Sequence, residues 1–179
     1  TTNHSTRING ASSQANPALI DGTATGNCLK LDLGLSSDNA GYLKVNGGCL
    51  TNEAGGLPNV DSCIGNSGTG WLHLASGGVY FTNTLYIGAN TGSIGTVVMD
   101  AGSFQAKVIV IGDMGTGNVI QSGGQFETCP PGGSLGRDVI LGNSAGGRGV
   151  AVISNGLFRS SYHMDVGRAG RGELYLRGG

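Results

Sequence analysis

Short runs in which apolar and polar residues alternate recur along this chain and predict β-strands. Three of the clearest are Tyr42-Leu43-Lys44-Val45, Trp71-Leu72-His73-Leu74 and Glu173-Leu174-Tyr175-Leu176. A period of two places every second side chain on the same face of a strand. The leucine and valine positions of these runs are therefore predicted to face a shared interior. A glycine pair such as Gly77-Gly78 is predicted to turn the chain after each run.

A second element of the pattern is an aliphatic residue followed by glycine, which recurs six times at intervals of 31, 23, 24, 30 and 25 residues. The pairs are Leu33-Gly34, Ile64-Gly65, Ile87-Gly88, Ile111-Gly112, Leu141-Gly142 and Val166-Gly167. Such an interval, rich in glycine and β-branched residues, is typical of one coil of a β-solenoid. We therefore predict an all-β fold: a right-handed parallel β-solenoid (β-helix) of about six coils over residues 29–179, after an irregular polar N-terminal arm, residues 1–28.

Each coil is predicted to contain three short strands around an apolar interior. Bulky residues that follow the glycine corners are predicted to stack in one interior column, made of Leu50, Tyr80, Phe104, Phe126 and Phe158. Other apolar residues should point outward, namely Val98, Ile120, Val152 and Tyr175 on the first strand and Tyr86, Val110 and Ile140 on the third. These outward columns indicate either a covered face or simple strand propensity.

Two coils are longer because loops, Thr51–Asp61 and Thr128–Arg137, are inserted between the second and third strands. Cys49 and Cys63 bracket the first loop. A disulfide between them would close a loop of 15 residues and contribute up to about 3 kcal/mol through chain entropy. The sequence alone does not decide between a Cys49–Cys63 disulfide and two free thiols.

Composition narrows the classes of function. Glycine accounts for 36 of the 179 residues and charged residues for only 12%, against roughly 7% and 25% in ordinary globular proteins. A net charge of −1 predicts no nucleic-acid partner, and no apolar run reaches the roughly 18 residues that membrane insertion needs. The sequence begins at Thr1 and combines three lysines with many Asn, Ser and Thr residues. We therefore expect an extracellular or cell-surface protein, with a trimmed chain as the alternative.

Two repeats carry a resemblance to a known group of proteins. Ile64–Gly70 and Ile111–Gly117 both read Ile-Gly-x-x-Gly-x-Gly, and each runs on to a glycine pair. This consensus resembles the β-strand repeats of autotransporter passengers and of related secreted bacterial proteins with sorting tails. The resemblance covers roughly residues 29–179 and implies a secreted or surface β-helix with a structural or adhesive role. It brings no catalytic motif.

The two ends of the predicted solenoid favour self-association. A first strand and the start of a corner lie at the C-terminal end, and a third strand, Leu29–Gly34, lies near the start. Stacking the tail of one copy on the head of the next would complete a coil and pair free strand edges. We therefore predict a subunit of a fibre or surface layer that polymerises with itself; a fragment of a longer solenoid is the alternative. The predicted interface residues are Leu29, Leu31, Leu33, Leu174, Tyr175, Leu176, Gly178 and Gly179.

Two other functions stay open. One is an adhesin or passenger fragment that binds glycans or a cell surface; Tyr42 and Trp71 belong to the fibre hypothesis, as secondary candidates for lateral contacts between subunits. The other is a β-helix polysaccharide lyase or hydrolase, which needs carboxylates gathered on adjacent coils beside a basic residue. The densest candidates are Asp113, Glu127, Arg137, Asp138, Arg159, His163 and Asp165, which the repeat scatters over different strands and loops. We therefore predict no enzymatic activity, no cofactor and no metal site.

Overall fold

The computed structural model describes residues 5–8, 14–52, 60–128 and 138–178, with residues 5–8 described by their backbone. These residues form sixteen strands and no helix. The strands are β1 (Ser5–Ile8), β2 (Ala18–Asp21), β3 (Thr25–Cys28), β4 (Lys30–Leu33), β5 (Ala40–Asn52), β6 (Ser62–Ile64), β7 (Thr69–Ile87), β8 (Ile94–Met99), β9 (Ser103–Ile111), β10 (Thr116–Gln121), β11 (Gln125–Glu127), β12 (Val139–Leu141), β13 (Arg148–Ile153), β14 (Leu157–Arg159), β15 (Met164–Val166) and β16 (Arg171–Leu176).

Pairing divides the described strands into three ladders, and every pair is parallel. The first ladder contains β2, the start of β5, the start of β7, β8, β10, β13 and β16. The second contains β3, the end of β5, the middle of β7, the start of β9, β11 and β14. The third contains β1, β4, β6, the end of β7, the end of β9, β12 and β15. One strand from each ladder makes a coil, so the predicted parallel β-solenoid of about six turns is confirmed.

The pairing register is the same from coil to coil along the start of the first-ladder strands. The second residue of the first-ladder strand is glycine in six consecutive coils, and these glycines stack on one another: Gly41, Gly70, Gly95, Gly117, Gly149 and Gly172. Along this part of the first ladder each sequence position of the repeat therefore forms a continuous column, whereas register shifts occur near the corners of β2–β5, β5–β7 and β7–β9. Within the solenoid, the inward columns of the first ladder are buried.

The first coil begins earlier than predicted. Strands β2 and β3 pair in parallel with β5, and β1 pairs in parallel with β4. The prediction of an irregular arm over residues 1–28 was therefore wrong for these three strands. The repeat is hard to recognise there because Asp21-Gly22 stands in place of the glycine pair at the corner. Coil-to-coil pairing supplies a strand conformation that the local sequence does not signal.

The core lies inside the three ladders, and its most regular part is a stack of phenylalanine rings. The ring centroids of Phe104 and Phe126 are 4.7 Å apart with planes tilted by 15°, and those of Phe126 and Phe158 are 5.3 Å apart at 12°. In the coil before Phe104 this position is occupied by the fully buried Val79. The prediction that Tyr80 lies in the interior was therefore wrong. The interior column is the position five residues after the last inward residue of the first-ladder strand, and five residues after Leu74 is Val79.

Glycine is required where the third ladder turns into the first. Gly88 has a φ of 76°, a left-handed conformation that L-residues adopt only at a cost. A Cβ at this position would also overlap the backbone carbonyl of Thr116, in the coil above. The recurrent aliphatic-glycine pair of the sequence is therefore set by two independent constraints, backbone conformation and the close approach of the neighbouring coil.

Polar side chains connect the coils at the same corner. The amide of Asn90 donates to Oδ1 of Asn66 at 2.8 Å, and the amide of Asn66 donates to Oδ1 of Asp32 at 3.2 Å. Further along, the amide of Asn143 donates to Oδ1 of Asp113 at 2.7 Å. Only the Asn143–Asp113 bond joins equivalent positions of the repeat, but all three bonds connect one coil to the next at or beside this corner.

Substitution of two glycines in one turn separates these constraints. Gly88 and Gly92 have nearly the same φ, 76° and 80°, but a Cβ at Gly92 would meet open space. We expect Gly92→Ala to lower the free energy of unfolding by about 1 kcal/mol, the cost of the left-handed backbone. Gly88→Ala should lose a further ~1–3 kcal/mol from overlap with the next coil. Denaturant titration followed by far-UV circular dichroism measures both; equal losses would contradict the packing argument.

Candidate functional site

The last described coil exposes positions that are buried in the coil before it. Leu176 continues an interior column of the first ladder, yet 71% of it is exposed, against 6% for Ile153 one coil earlier. Met164 and Val166 of β15 are exposed in the same way, whereas their partners in β12 are fully buried. The end of the solenoid formed by β14, β15 and β16 therefore presents a cross-section of the apolar core. We call it the tail surface.

A depression of about 610 Å³ occupies one side of the tail surface. It is lined by Phe158, the last ring of the aromatic column, and by Leu157, Ile153 and Leu176. Strand β14 beside it has a paired neighbour on one side only, β11. Strand β16 begins a further coil. The depression therefore lies at the position that the second-ladder strand of this coil would occupy.

A network of charges covers the outer side of β16. Nε of Arg171 is 2.8 Å and Nη2 of Arg148 is 3.1 Å from Oε1 of Glu173, and the hydroxyl of Tyr175 donates to Oε2 at 2.7 Å. The Tyr175 hydrogen bond and the arginine charges hold the pKa of Glu173 below its usual value. The guanidinium of Arg177 lies 5.5 Å from the centre of the Tyr175 ring. The network ties the outward side chains of β16 to one another.

The tail half of the predicted interface lies at this end of the solenoid. Leu174 is partly buried, whereas Tyr175, Leu176 and Gly178 are exposed. Gly179 lies outside the described residues. The structure thus brings four predicted residues together on or beside one surface.

The head half of the predicted interface is in a different place. Leu31 and Leu33 are fully buried, and Leu29 is partly buried. Their strand β4 is paired with β1 on one edge and with β6 on the other. That half of the prediction was wrong, because an edge that is already paired has no free hydrogen-bonding groups for another strand. Among the described strands at this end, the free edges belong to β1, β2 and β3, and we call them the head surface.

Sequence reasoning placed Ala18-Leu19-Ile20 in an irregular arm that could reach onto a neighbour, and it missed that these residues form a strand of the solenoid. Leu19 is 55% exposed and Ile20 is partly buried against the core, while Asp21 is exposed at the strand end. The alternation of Ala18 and Ile20 with Leu19 and Asp21 is the signal that points to a strand. Four residues without a glycine corner were too short a run to reveal it.

The two ends of the solenoid differ in charge. The described residues from 14 to 64 contain two lysines and four aspartates, a formal charge of −2. Residues 148–178 contain five arginines, one aspartate and one glutamate, a formal charge of +3. The near-zero net charge of the whole chain therefore conceals an electrostatic asymmetry along the solenoid axis.

A second candidate surface lies on the outer side of the first ladder. The ring centroids of Tyr42 and Trp71 are 6.2 Å apart, and those of Trp71 and His73 are 5.3 Å apart. Nε2 of His73 is 2.6 Å from Oδ2 of Asp100. This hydrogen bond holds the pKa of Asp100 below its ordinary value, and a second from Ser122 acts in the same direction. Aromatic rings and fixed polar groups are thus adjacent on neighbouring coils.

The predicted outward columns differ in exposure. Val110 and Ile140 of the third ladder stand outside the core cluster but are buried, so this column is covered within the chain itself. On the first ladder, Ile120 is 47% exposed. Only the first-ladder column therefore offers exposed apolar area for lateral contacts.

The cysteines of the predicted disulfide, Cys49 and Cys63, are free thiols. That prediction was wrong because the two residues lie on different ladders, Cys49 on the second and Cys63 on the third. Burial raises the pKa of the Cys63 thiol to about 12, and the negative charge of Asp32 acts in the same direction. Asp32 itself is almost completely buried, and its Oδ2 lies 3.1 Å from Nζ of Lys30.

The candidate catalytic carboxylates are held in separate pairs. Each has its own partner: Asp113 with Asn143 and Ser144, Glu127 with Arg159 and Gln105, Asp138 with His163, and Asp165 with Arg168. Arg137 lies outside the described residues. In the described ranges no three His, Cys, Asp or Glu side chains are grouped so that they could hold a metal ion. The structure does not gather these carboxylates into one site.

Comparison of the chain with protein-family models, with curated proteins and with solved structures gives no match. The resemblance to autotransporter passengers and sorting-tail proteins therefore stays a prediction. Within the part of the chain that the structure describes, no helix has the length and apolar character needed to cross a membrane. The fold and its two candidate surfaces are thus the basis for any functional argument.

Thiol labelling tests the placement of the two cysteines. At pH 8 a thiol with a pKa of about 12 is ionised in only about one molecule in 10⁴, and the thiolate is the reactive form. We expect iodoacetamide to modify Cys63 at least about 10³-fold more slowly in the native protein than in urea, while the less buried Cys49 reacts faster. Peptide mass spectrometry measures both rates. A Cys49–Cys63 linked peptide in unreduced material would contradict the free-thiol arrangement.

Proposed function

We propose that this chain is an extracellular structural protein, a subunit whose solenoids stack tail to head into a fibre or surface layer. The observation that carries the proposal is the exposed core cross-section at the tail surface. Leu176, Met164 and Val166 continue buried columns into solvent, and burying the part of each side chain that is exposed contributes about 0.5–2 kcal/mol. Another coil stacked on the tail surface would bury these residues and pair the free edges of β15 and β16.

The charge asymmetry supports a second copy of the chain as the source of that coil. A head-to-tail contact brings the end of charge +3 against the end of charge −2, whereas tail-to-tail or head-to-head contacts oppose like charges. The contact is heterologous, so copies add in one direction and the assembly does not close. The tail surface and the head surface thus fit a linear polymer.

The extracellular location rests on composition, with few lysines among many Asn, Ser, Thr and Gly residues. The structural, non-enzymatic part of the proposal rests on the separate pairing of the carboxylates, since glycan cleavage needs two of them to act at one bond. Self-association accounts for the exposed apolar positions without invoking catalysis.

One substitution at the tail surface and one on the side of the solenoid test the proposal. We expect Leu176→Glu to raise the concentration at which the chain polymerises by at least about tenfold, because it replaces apolar burial with an unpaired charge. Ile120→Glu is the matched control, since Ile120 is also exposed but lies on the lateral face. Sedimentation velocity and electron microscopy measure assembly, and circular dichroism checks that both variants fold.

The outcomes separate the modes of association. Loss of fibres in Leu176→Glu alone supports end stacking. Loss in Ile120→Glu alone would show that lateral contacts drive assembly. A wild-type chain that remains monomeric at high concentration would refute the proposed function.

The pair of aromatic rings favours glycan binding as the second candidate function. Trp71 and Tyr42 are partly exposed on neighbouring coils, and the negative face of an aromatic ring attracts the positively polarised C–H groups of a sugar. His73 and Asp100 beside them offer hydrogen bonds to hydroxyl groups. A pyranose ring has the apolar face and polar edge that this surface would recognise.

The single tryptophan of the chain reports on this surface directly. If it binds glycans, titration with soluble cello- or xylo-oligosaccharides should change Trp71 fluorescence in a saturable way. Tyr42→Ala should then weaken binding by about 0.5–1.5 kcal/mol, roughly two- to twelvefold, whereas Tyr162→Ala, at an exposed position elsewhere, should not. Fluorescence that stays constant over a panel of neutral and acidic oligosaccharides would exclude this candidate.

A further inference from the structure

The fixed register of the first ladder predicts how two copies would meet, if they stack as proposed. Every first-ladder strand pairs with the next so that Leu43, Leu72, Val97, Val119, Ala151 and Leu174 form one column, and Ala18 of β2 joins that column at its start. When the same register continues across the junction, β2 of the next copy adds to the free edge of β16. Leu174 then lies opposite Ala18, and the following residues pair in order.

The chemistry at the three following positions is complementary. Tyr175 lies opposite Leu19, and both are exposed in the single chain. Leu176, the most exposed large apolar residue, lies opposite Ile20 of the interior column. Arg177 lies opposite Asp21, which pairs an arginine with a carboxylate at the end of the strand. Apolar residues thus meet apolar residues, and the one charged pair has opposite signs.

The chain already uses this last column to connect its own coils. In the first coils the amide of Asn46 donates to Oδ1 of Asp21 at 2.9 Å. Further along, the hydroxyl of Ser122 donates to Oδ1 of Asp100 at 3.0 Å. An Arg177–Asp21 contact between copies would continue a series of coil-to-coil side-chain bonds.

The third ladder gives the same placement independently. When the residue pairs are followed from strand to strand along the third ladder, Ile8 of β1 falls in the same column as Val166 of β15. Arg7 falls in the same column as Asp165. Strand β1 belongs to the coil before that of β2, just as β15 belongs to the coil before that of β16. One rigid docking therefore adds β2 to β16 and β1 to β15 at the same time.

We propose that copies join in this single register, with one shared coil built from β16 of one copy and β1 of the next. The partner recognised by the tail surface is the head surface of a second copy of this chain, and the Arg177–Asp21 pair fixes the alignment. The inference rests on the proposed head-to-tail assembly and specifies its geometry. Each copy then contributes seven rungs to the first ladder, so the axial rise is about 34 Å at about 4.8 Å per coil.

Charge reversal tests the alignment. Asp21→Arg and Arg177→Asp, each alone, place like charges together at every junction and should raise the polymerisation threshold by at least about tenfold. The double variant Asp21→Arg/Arg177→Asp restores an opposite pair and should polymerise as the wild type does. Failure of the double variant to recover, in a chain that folds normally, would overturn the assigned pair.

Cross-linking gives a second readout. Paired residues of neighbouring strands lie within the Cα separation that a disulfide spans, whereas a shift of two residues along the strand exceeds it. Leu19→Cys/Tyr175→Cys should therefore give a ladder of covalent oligomers on mild oxidation, and each single variant should not. Leu19→Cys/Glu173→Cys, displaced by two residues, is the mismatched control.

The results distinguish the inference from the proposed function. Wild-type fibres with a rise near 34 Å, together with matched cross-links and charge rescue, support the shared coil. Fibres without matched cross-links or rescue, or with a rise of about 38 Å because the eight levels from β1 to β16 are not shared, overturn the register but leave head-to-tail stacking in place. Absence of any wild-type assembly overturns both.

Discussion

Parallel hydrogen bonding of each coil to the next, in a register that shifts only near some corners, is the constraint on which this structure depends. It makes every position of the repeat a column, so side chains meet their own equivalents, as Phe104, Phe126 and Phe158 do. Like charges stacked in such a column would repel, which accounts for charged residues forming only 12% of the chain. Because the backbone of the next coil passes so close, the corner at Gly88 has no space for a Cβ. Composition, core and corners thus follow from one geometric condition.

The same constraint leaves unpaired strand edges at the two ends of the described solenoid. An interior coil is satisfied by its two neighbours, so its edges and core positions are unavailable to partners. The coil that ends in β14, β15 and β16 has only one described neighbour on each ladder, and Leu176 is exposed as a direct result. A surface that resembles the inside of its own repeat is best complemented by another coil of the same kind. For this reason the strongest candidate surface is a cross-section of the fold rather than a pocket on its side.

The sequence predicts the repeat better than it predicts the boundaries of the repeat. Alternation and the aliphatic-glycine pairs are local signals, and they identify the strands from β4 onward. Strand β2 carries a short alternation without those glycines, so its inclusion depends on pairing with β5, which is a tertiary effect. The disulfide prediction failed for a related reason. Cys49 and Cys63 lie close together along the chain on either side of a loop, which suggested a bond, but the loop joins two different ladders. The tail half of the interface was predictable because Leu174 and Leu176 follow the alternation.

Apolar stacking alone would not select one alignment between copies. A slip of two residues along a strand keeps every inward side chain inward, so Leu174 could pack on Ile20 almost as well as on Ala18. Polar groups at the strand end remove this degeneracy. If a slip of two residues puts Leu174 opposite Ile20, then Asp21 lies opposite Tyr175 instead of Arg177. The arginine is then left without its carboxylate. Within the chain the Asn66–Asn90 and Asn46–Asp21 bonds perform the same task between coils. In the proposed assembly, the hydrophobic columns would therefore provide the attraction between solenoids, and the sparse charged and amide side chains would provide the register.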